Sequence, residues 1–128
     1  MRILSILYLL LGMLACNPSI SKEYLINAGQ LENMMKDTPG MQLVDLRTPG
    51  ELQRTGRING AINIDFEGDN FESQLSQIDP KKPTIIYCKA GNRSAQAFPI
   101  IQQAGFKQLY MYPGGIDEWK SKGKPTVK

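Results

Sequence analysis

Short apolar segments alternate with segments that carry helix-start signals along most of this chain, and this alternation restricts the fold more than any other feature. A short apolar run at residues 24–26 is followed by predicted strands at 41–46, 60–64, 84–87 and 109–112. Helical patterns lie between them. Strands that alternate with helices in this way predict an α/β protein with a mainly parallel sheet and helices on both of its faces.

The first two predicted helices begin at recognisable capping sequences. Asn27 with Gln30 three residues later forms one capping-box pattern, and Thr48 with Glu51 forms a second. Pro49 occupies the first helical position after Thr48, where a proline is well tolerated. Both helices therefore have start points that the local sequence predicts.

The later helices are marked less uniformly. Asn70 is a predicted cap for a short helix, and residues 94–104 are predicted to form another helix with Ser94 as its cap. Gly105 stands where a helix C-terminal glycine is common. Pro99 lies inside the second of these helices, so we expect a kink or a missing backbone hydrogen bond there.

The N-terminal residues are predicted to direct export. The apolar stretch 3–14 follows a basic residue and is too short to span a bilayer, as is typical of a secretory signal. Residues 13–16 resemble the lipobox of bacterial lipoproteins, which implies that Cys16 is lipidated and becomes the mature N-terminus. We therefore expect a signal peptide at 1–15, a tether at 16–22 and an envelope protein anchored to a bacterial membrane. A plain secretory signal cut at or shortly after this position is the alternative.

Composition excludes several classes of chemistry. The 128 residues include no histidine, which excludes Ser-His-Asp and Cys-His catalysis and HExxH zinc sites. Two cysteines cannot form a four-thiolate metal centre, so we expect neither a metal nor another cofactor. The net charge of +3 comes from interspersed acidic and basic residues, so we expect no nucleic-acid partner.

The candidate reactive group is the thiol of Cys88. It follows a β-branched strand and precedes a small-residue loop and a helix start, the position where open α/β sheets bind ligands. Inward-turned backbone N–H groups and the helix dipole would bind an anion there and lower the pKa of the thiol. The candidate anion-binding residues are Lys89, Ala90, Gly91, Asn92, Arg93 and Ser94.

Cys88 and the basic residues of its loop also have a purely structural interpretation. A cysteine after an apolar strand can simply be a small buried hydrophobic residue. Either basic side chain of the loop can point to solvent, and Lys89 is the better candidate for doing so.

Four stretches of the chain together resemble the single-domain rhodaneses, a family of sulfurtransferases. They are 43–47 with Glu51, 56–64, 88–94, and 112–115 with Glu118 and Trp119. The resemblance implies a rhodanese-like domain over 23–128, a three-layer α/β/α fold with a mainly parallel central sheet of about five strands. Arg57 stands where the family usually has histidine, and Asn59 where proline is common. From these two departures we expect altered packing rather than lost chemistry. Pro99, in the helix after the loop, is also unusual for the family, and it could shift the N-terminus of that helix and so the geometry of the loop.

The resemblance also implies a reaction. Cys88 would accept a sulfane sulfur from a small anionic donor such as thiosulfate, become a persulfide, and pass the sulfur to a thiol or to cyanide. Arg93 and Lys89 would attract the donor. Asp45 and Arg47 would form a structural pair that supports the loop. We expect a monomer that contacts a membrane only through a lipid anchor at Cys16.

Two other functions remain open at this point. Related phosphatases and arsenate reductases carry five residues between cysteine and arginine, whereas four separate Cys88 from Arg93. The shorter loop suits one sulfur atom better than a tetrahedral phosphoryl group. A non-enzymatic domain that carries sulfur or binds a partner is the other alternative, although inactive members usually lack the loop cysteine.

Overall fold

The computed structural model describes residues 19–128. The predicted signal peptide at 1–15 and the predicted lipidation site Cys16 lie outside the described residues. Among the helices that are described, none has the length and hydropathy needed to cross a bilayer.

The centre of the fold is a parallel sheet. Its four strands, in the spatial order β2-β1-β3-β4, are β1 (Gln42–Asp45), β2 (Ile62–Asn63), β3 (Thr84–Tyr87) and β4 (Leu109–Met111). Leu25 adds one parallel bridge beside Met111 at the β4 edge. Among the described residues the sheet therefore has four strands and one further bridge, where about five strands were predicted, and its parallel arrangement is confirmed.

Within residues 19–128, five α-helices complete the layers. They are α1 (Ala28–Asp37), α2 (Pro49–Thr55), α3 (Phe71–Gln74), α4 (Asn92–Gln103) and α5 (Gly115–Ser121). The capping boxes predicted at Asn27 and Thr48 are both present, with side-chain and backbone bonds in each direction. These two starts are specified locally, because each cap bonds a residue only three positions away.

Apolar side chains are buried on both faces of the sheet. Val44 and Ile86 point into one core with helices α3 and α4, while Leu43 and Ile85 point into the other with α1 and α5. Each of these side chains is at most 4% exposed, and burying one contributes about 1.5–3 kcal/mol. Because helices cover both faces of the sheet, side chains on both faces of a strand are buried, and the strand sequences are continuous apolar runs.

Helix α4 begins earlier than predicted. Its first residue is Asn92, and its N-cap is Gly91 with a φ of 100°, so Ser94 is the third helical residue and not the cap. The glycine reaches a left-handed conformation that favours residues without a Cβ. The helix continues through Pro99 to Gln103, and Gly105 follows the C-cap as predicted.

The cap predicted at Asn70 is only partly present. Asn70 is the N-cap of α3, but its side chain makes no capping hydrogen bond. Its backbone carbonyl instead accepts the N–H of Gln74. The start of α3 therefore depends on the backbone and on the burial of Phe71, which faces the core.

Candidate active site

Cys88 lies at the carboxyl end of the central strand β3, directly before the loop that leads into α4. Its neighbours in the sheet are β1 on one side and β4 on the other. The residue is only 1% exposed. The thiol therefore sits at the base of the loop, beneath the backbone of the residues that follow it.

The Cys88 sulfur accepts hydrogen bonds from the loop that surrounds it. The N–H of Gly91 is 3.2 Å from Sγ and the N–H of Ser94 is 3.4 Å from it. Ser94 Oγ lies 3.5 Å from the same sulfur and 3.1 Å from the carbonyl oxygen of Gly91. Ser94 thus contacts the sulfur twice, and it does so because α4 begins two residues before it.

These contacts favour the thiolate. Burial alone would raise the pKa of the Cys88 thiol, but hydrogen bonds from the Ser94 side chain and from the N–H groups of Ser94, Gly91 and Ala90 outweigh it. The pKa is held below its ordinary value. The loop therefore favours ionisation of the sulfur through hydrogen bonds and without a histidine.

The loop also holds N–H groups that have no protein acceptor. Within residues 19–128, the backbone N–H groups of Lys89, Asn92 and Arg93 donate to no carbonyl or side chain. Asn92 and Arg93 are in the first turn of α4, where no earlier helical carbonyl can reach them. The first turn of α4 and the loop therefore present donors without a protein acceptor in the segment that follows Cys88.

The first residues of α5 hold the Cys88 loop in place through hydrogen bonds. The N–H groups of Ile116 and Asp117 donate to the carbonyls of Cys88 and Lys89 at 2.9 and 3.2 Å. Gly115 adopts a φ of 63°, and a Cβ there would lie 2.3 Å from the Lys89 oxygen. The loop can approach α5 this closely only because position 115 carries no side chain.

Arg93 is bound to a carboxylate that comes from α2. Its two terminal nitrogens contact the two carboxylate oxygens of Glu51 at 2.6 and 2.9 Å. The hydrogen bonds from Arg93 are the main reason that the pKa of Glu51 falls from 4.5 to about 2. Glu67 lies further away, 3.5 Å from the guanidinium. The guanidinium of Arg93 is therefore already bound in an ion pair with Glu51.

Lys89 turns outward from the sulfur. Its ammonium group lies 2.7 Å from the carboxylate of Asp117, and the two side chains are 60% and 50% exposed. An exposed pair of this kind contributes little stability. The two basic residues predicted to attract an anion are therefore both paired with acids.

Asp45 and Arg47 lie at the end of β1, beside the Cys88 loop. Their charged atoms are 2.7 Å apart, and the side chains are at most 1% exposed. Arg47 also donates to the hydroxyl of Thr55 and to the carbonyl of Gly56, at 2.8 and 2.7 Å. This arrangement ties β1 to the end of α2.

A shallow cavity of about 370 Å³ opens beside the loop. Its lining residues are Arg47, Glu51, Arg54, Thr55, Lys89, Ile116 and Asp117. No cluster of three metal-ligating side chains occurs among the residues that the structure describes. The cavity is bordered mainly by charged groups, and of residues 88–94 it is lined by Lys89.

Comparison with known proteins decides the family. The rhodanese-like domain profile matches residues 27–122. The chain belongs to the rhodanese-like domain family. A sulfurtransferase of Allochromatium vinosum is 32% identical over 102 residues, which cover 80% of this chain and 92% of the relative. The crystal structure of a rhodanese-related protein from Thermoplasma volcanium superposes with a TM-score of 0.69 at 31% identity, covering 80% of this chain and 95% of that one.

A third relative carries a more specific name. The thiosulfate:glutathione sulfurtransferase of Saccharomyces cerevisiae is 29% identical over 99 residues, which cover 69% of this chain and 70% of the relative. The rhodanese-like domain described here therefore has sulfurtransferase relatives, and it shares their fold.

The family departures lie outside the Cys88 loop of this rhodanese-like domain. Arg57 donates to the carbonyl of Ala61 at 3.2 Å, and its backbone pairs with Val127 near the C-terminus. Asn59 is in an exposed turn. Pro99 lies in α4 beyond its first turn, and the Ser94 contacts to sulfur are intact.

Sequence reasoning missed two contributors to this site. Glu51 was noted as the acid of a capping box and as the acid that follows the 43–47 motif, but not as a partner of Arg93, to which its bond spans 42 positions. Gly115 was noted only as part of the 112–115 stretch of the family resemblance, and its contact with Lys89 crosses from α5 to the loop. The motif residues themselves were visible in the sequence, but their pairing depends on the tertiary structure.

Proposed function

We propose that this rhodanese-like domain is a sulfurtransferase that uses Cys88 as its only covalent residue. It takes a sulfane sulfur from thiosulfate or a similar donor and passes it to a thiol or to cyanide. The observation that carries the proposal is the Cys88 sulfur itself, which accepts hydrogen bonds from Gly91 and Ser94 and has a lowered thiol pKa. A thiolate at neutral pH is the nucleophile that the reaction needs.

The first half-reaction loads the enzyme. The Cys88 thiolate attacks the outer sulfur of thiosulfate, a new S–S bond forms, and sulfite leaves with the electron pair of the broken bond. The transferred sulfur is then the terminal atom of a Cys88 persulfide. The free N–H groups of Lys89, Asn92 and Arg93 are the donors that would stabilise its negative charge.

The second half-reaction transfers the sulfur from the Cys88 persulfide to an acceptor. An acceptor thiolate or cyanide attacks the terminal sulfur, and the Cys88 thiolate leaves with the bonding pair. No outside oxidant or reductant takes part in either step. Four residues separate Cys88 from Arg93, and Ala90 and Gly91 among them are small, which agrees with a loop that holds one sulfur atom rather than a larger group.

Thiocyanate formation from thiosulfate and cyanide tests the proposal. We expect Cys88→Ser to lose at least about a thousandfold in rate, because the hydroxyl is a far weaker nucleophile. Cys16→Ser is the matched control and is expected to keep the wild-type rate. Full activity in Cys88→Ser would rule out the covalent mechanism. Uptake of sulfur without turnover by small acceptors would indicate a sulfur carrier that serves a partner protein.

We also propose that the enzyme acts in the cell envelope, anchored through Cys16. The support is the lipobox-like sequence at 13–16. Membrane fractionation of cells expressing the full chain tests this location. Cys16→Ser is expected to move the protein from the membrane to the soluble fraction, and an unchanged distribution would contradict the anchor.

A further inference from the structure

The amino ends of the strands form a second face of the domain, at the opposite end of the sheet from the Cys88 loop. The connections that enter β1, β3 and β4 meet there, with the short 3-10 helix Lys22–Tyr24 that leads into the bridge to Met111. The N–H groups that open β1 and β3 donate to the carbonyls of Pro83 and Gln108, both at 2.8 Å, and so join these connections. The connection into β2 lies higher, because β2 pairs only with the last two residues of β1. We call the surface of residues 21–24, 36–41, 79–83 and 105–108 the amino-end face.

The amino-end face carries more lysines than carboxylates. Its lysines are all exposed, and none of them forms an ion pair within residues 19–128. These lysines are Lys22, Lys36, Lys81, Lys82 and Lys107. The carboxylates of the same face are Glu23, Asp37 and Asp79. Glu72 lines a groove beside the face together with Pro80, and the lysines remain in excess when that carboxylate is included.

The end of the sheet that holds the Cys88 loop has the opposite charge. Its acids follow the strands or lie in the first turns of α2 and α5, and its cations border the loop and the neighbouring cavity. The six carboxylates are Glu51, Asp65, Glu67, Asp69, Asp117 and Glu118, and the four cations are Arg54, Lys89, Arg93 and Lys120. The Cys88 thiolate adds a further negative charge, while Asp45 and Arg47 neutralise each other. The domain is therefore basic where its strands begin and acidic where they end.

The described chain also enters the domain next to the amino-end face. Ile20 packs against the core that α4 covers, and the ring of Tyr24 lies 5.6 Å from that of Phe98 in the same helix. Tertiary contacts therefore begin only four residues after Cys16. Because four residues span at most about 14 Å when fully extended, an anchor at Cys16 would hold Ile20 close to a bilayer. The amino-end face, and not the Cys88 loop, would then lie next to the lipid headgroups.

We infer that the amino-end face binds an anionic lipid surface, so that the membrane-bound protein points its Cys88 loop away from the bilayer. Anionic headgroups attract the exposed lysines and repel the acidic end of the sheet, over a range of about 8 Å at physiological ionic strength. The inference rests on the proposed envelope location and not on sulfur transfer. Membrane contact would then include lysine side chains as well as a lipid at Cys16, and both substrates would reach Cys88 from the aqueous phase.

Lysine labelling of the full chain on vesicles tests this orientation. The protein is reconstituted with phosphatidylcholine vesicles that contain or lack phosphatidylglycerol, and acetylation of each lysine by acetic anhydride, an uncharged reagent, is measured by mass spectrometry. Lys120 and Lys128 are internal controls, because they contact Thr55 and line a cavity with Pro49, toward the Cys88 end. The lysines of the amino-end face should be labelled at least about fivefold less on anionic vesicles, the factor that about one lysine contributes near such a surface. Equal labelling of the two sets on both vesicles would overturn the inference.

A matched pair of double variants separates the amino-end face from the overall charge of the protein. K81Q/K82Q and K120Q/K128Q each remove two exposed positive charges, but from opposite ends of the sheet. The first leaves no excess of lysines on the amino-end face, so the three remaining lysines there should lose their protection by anionic vesicles. The second should keep it. Equal loss of protection in the two variants would mean that net charge alone attracts the protein, and it would contradict a specific face.

Two further readouts distinguish a failure of this inference from a failure of the proposals beside it. Alkylation of Cys88 by uncharged iodoacetamide should proceed at the same rate on both kinds of vesicle, and a rate that falls on anionic vesicles would mean that the loop faces the lipid. Equal membrane binding of the wild type and Cys16→Ser would contradict the anchor, whereas the lysine contrast would still decide the face. A chain that binds neither kind of vesicle would contradict both. The mass gained from thiosulfate tests sulfur transfer independently of either result.

Discussion

The ends of strands β1 and β3 lie side by side, but the acidic side chains at these ends, Asp45 and Cys88, are bound by different kinds of donor. Asp45 is in register with Tyr87, so the Asp45–Arg47 pair and the Cys88 loop begin at the same level of the sheet. The Asp45 carboxylate is bound by a guanidinium. The Cys88 sulfur is bound by backbone N–H groups, and in the part of the chain that the structure describes the N–H groups of Lys89, Asn92 and Arg93 have no acceptor.

This difference explains why one strand end supports the fold and the other can carry chemistry. Every strong donor of Arg47 already has an acceptor, in Asp45, Thr55 or Gly56, so the pair has no capacity to bind a substrate. Around Cys88 the unsatisfied donors belong to the rigid backbone. They can therefore stabilise a new negative charge without any side chain moving.

The largest effect on stability is expected at the β1 end. Asp45→Ala leaves the Arg47 guanidinium buried without its counter-ion and should destabilise the protein by about 3–5 kcal/mol. Urea unfolding measures it, with the exposed Asp69→Ala as a control expected within about 0.5 kcal/mol of wild type. A loss below about 1 kcal/mol for Asp45→Ala would mean that the pair is not the main support of this turn.

The support beneath the Cys88 loop should give the next largest effect. Gly115→Ala places a Cβ 2.3 Å from the Lys89 oxygen at a φ of 63°. Gly123→Ala has a φ of 70° with no atom within 4 Å, so it shares only the backbone cost. We expect Gly115→Ala to be about 1–3 kcal/mol less stable than this control, from overpacking.

The same pair of glycine variants should also differ in activity. Gly115→Ala displaces the carbonyls that α5 holds, so sulfur loading is expected to fall at least about tenfold. Gly123→Ala should load at the wild-type rate. Similar loading rates in the two variants would show that α5 does not position the loop.

Acid should weaken the contact between α2 and the Cys88 loop. The pKa of Glu51 is lower in the folded protein, at about 2, than its ordinary value of 4.5. Its contribution is therefore present above about pH 4.5 and is lost as the pH falls toward 2. Glu51→Gln should be about 1–2 kcal/mol less stable than wild type at pH 6, and the difference should shrink by pH 2.5. A constant difference would refute this ion-pair account.

The smallest expected effect concerns the side-chain contact to sulfur. Ser94→Ala removes the hydroxyl that favours the thiolate, so the pKa of Cys88 should rise. The rate of alkylation by iodoacetamide, measured across pH in a Cys16→Ser background, should reach half its maximum at a higher pH. The N–H of Ser94 remains, so part of the stabilisation persists. The exposed Ser76→Ala serves as the control, and an equal shift there would contradict the assignment.

Local sequence predicted much of the fold. The capping boxes at Asn27 and Thr48 and the strand at 84–87 were confirmed because each depends on near neighbours or on a β-branched run. The start of α4 was misplaced by two residues because Gly91 adopts a positive φ, and the Cys88 sulfur then accepts the N–H of Ser94. A sulfur acting as part of a helix cap is not visible from helix-start preferences.

The pairing of charges around the loop was harder to predict than the loop. Cys88 and its small neighbours form one continuous segment, so the order of residues in the sequence was enough to predict an anion-binding loop. Glu51 reaches Arg93 because α2 follows β1 and α4 follows β3, which the sheet places side by side. The sequence shows the basic residue Arg93, and only the tertiary structure shows that Glu51 is its counter-ion.

The most direct test of the central claim is the mass of the protein after exposure to a sulfur donor. The purified chain is incubated with thiosulfate alone and weighed intact. We predict a gain of about 32 Da, the mass of one sulfur, which is removed by cyanide, absent in Cys88→Ser and retained in Cys16→Ser. A reduced, folded wild-type protein that gains no sulfur from thiosulfate or from 2-hydroxyethyl persulfide would contradict sulfur transfer through Cys88.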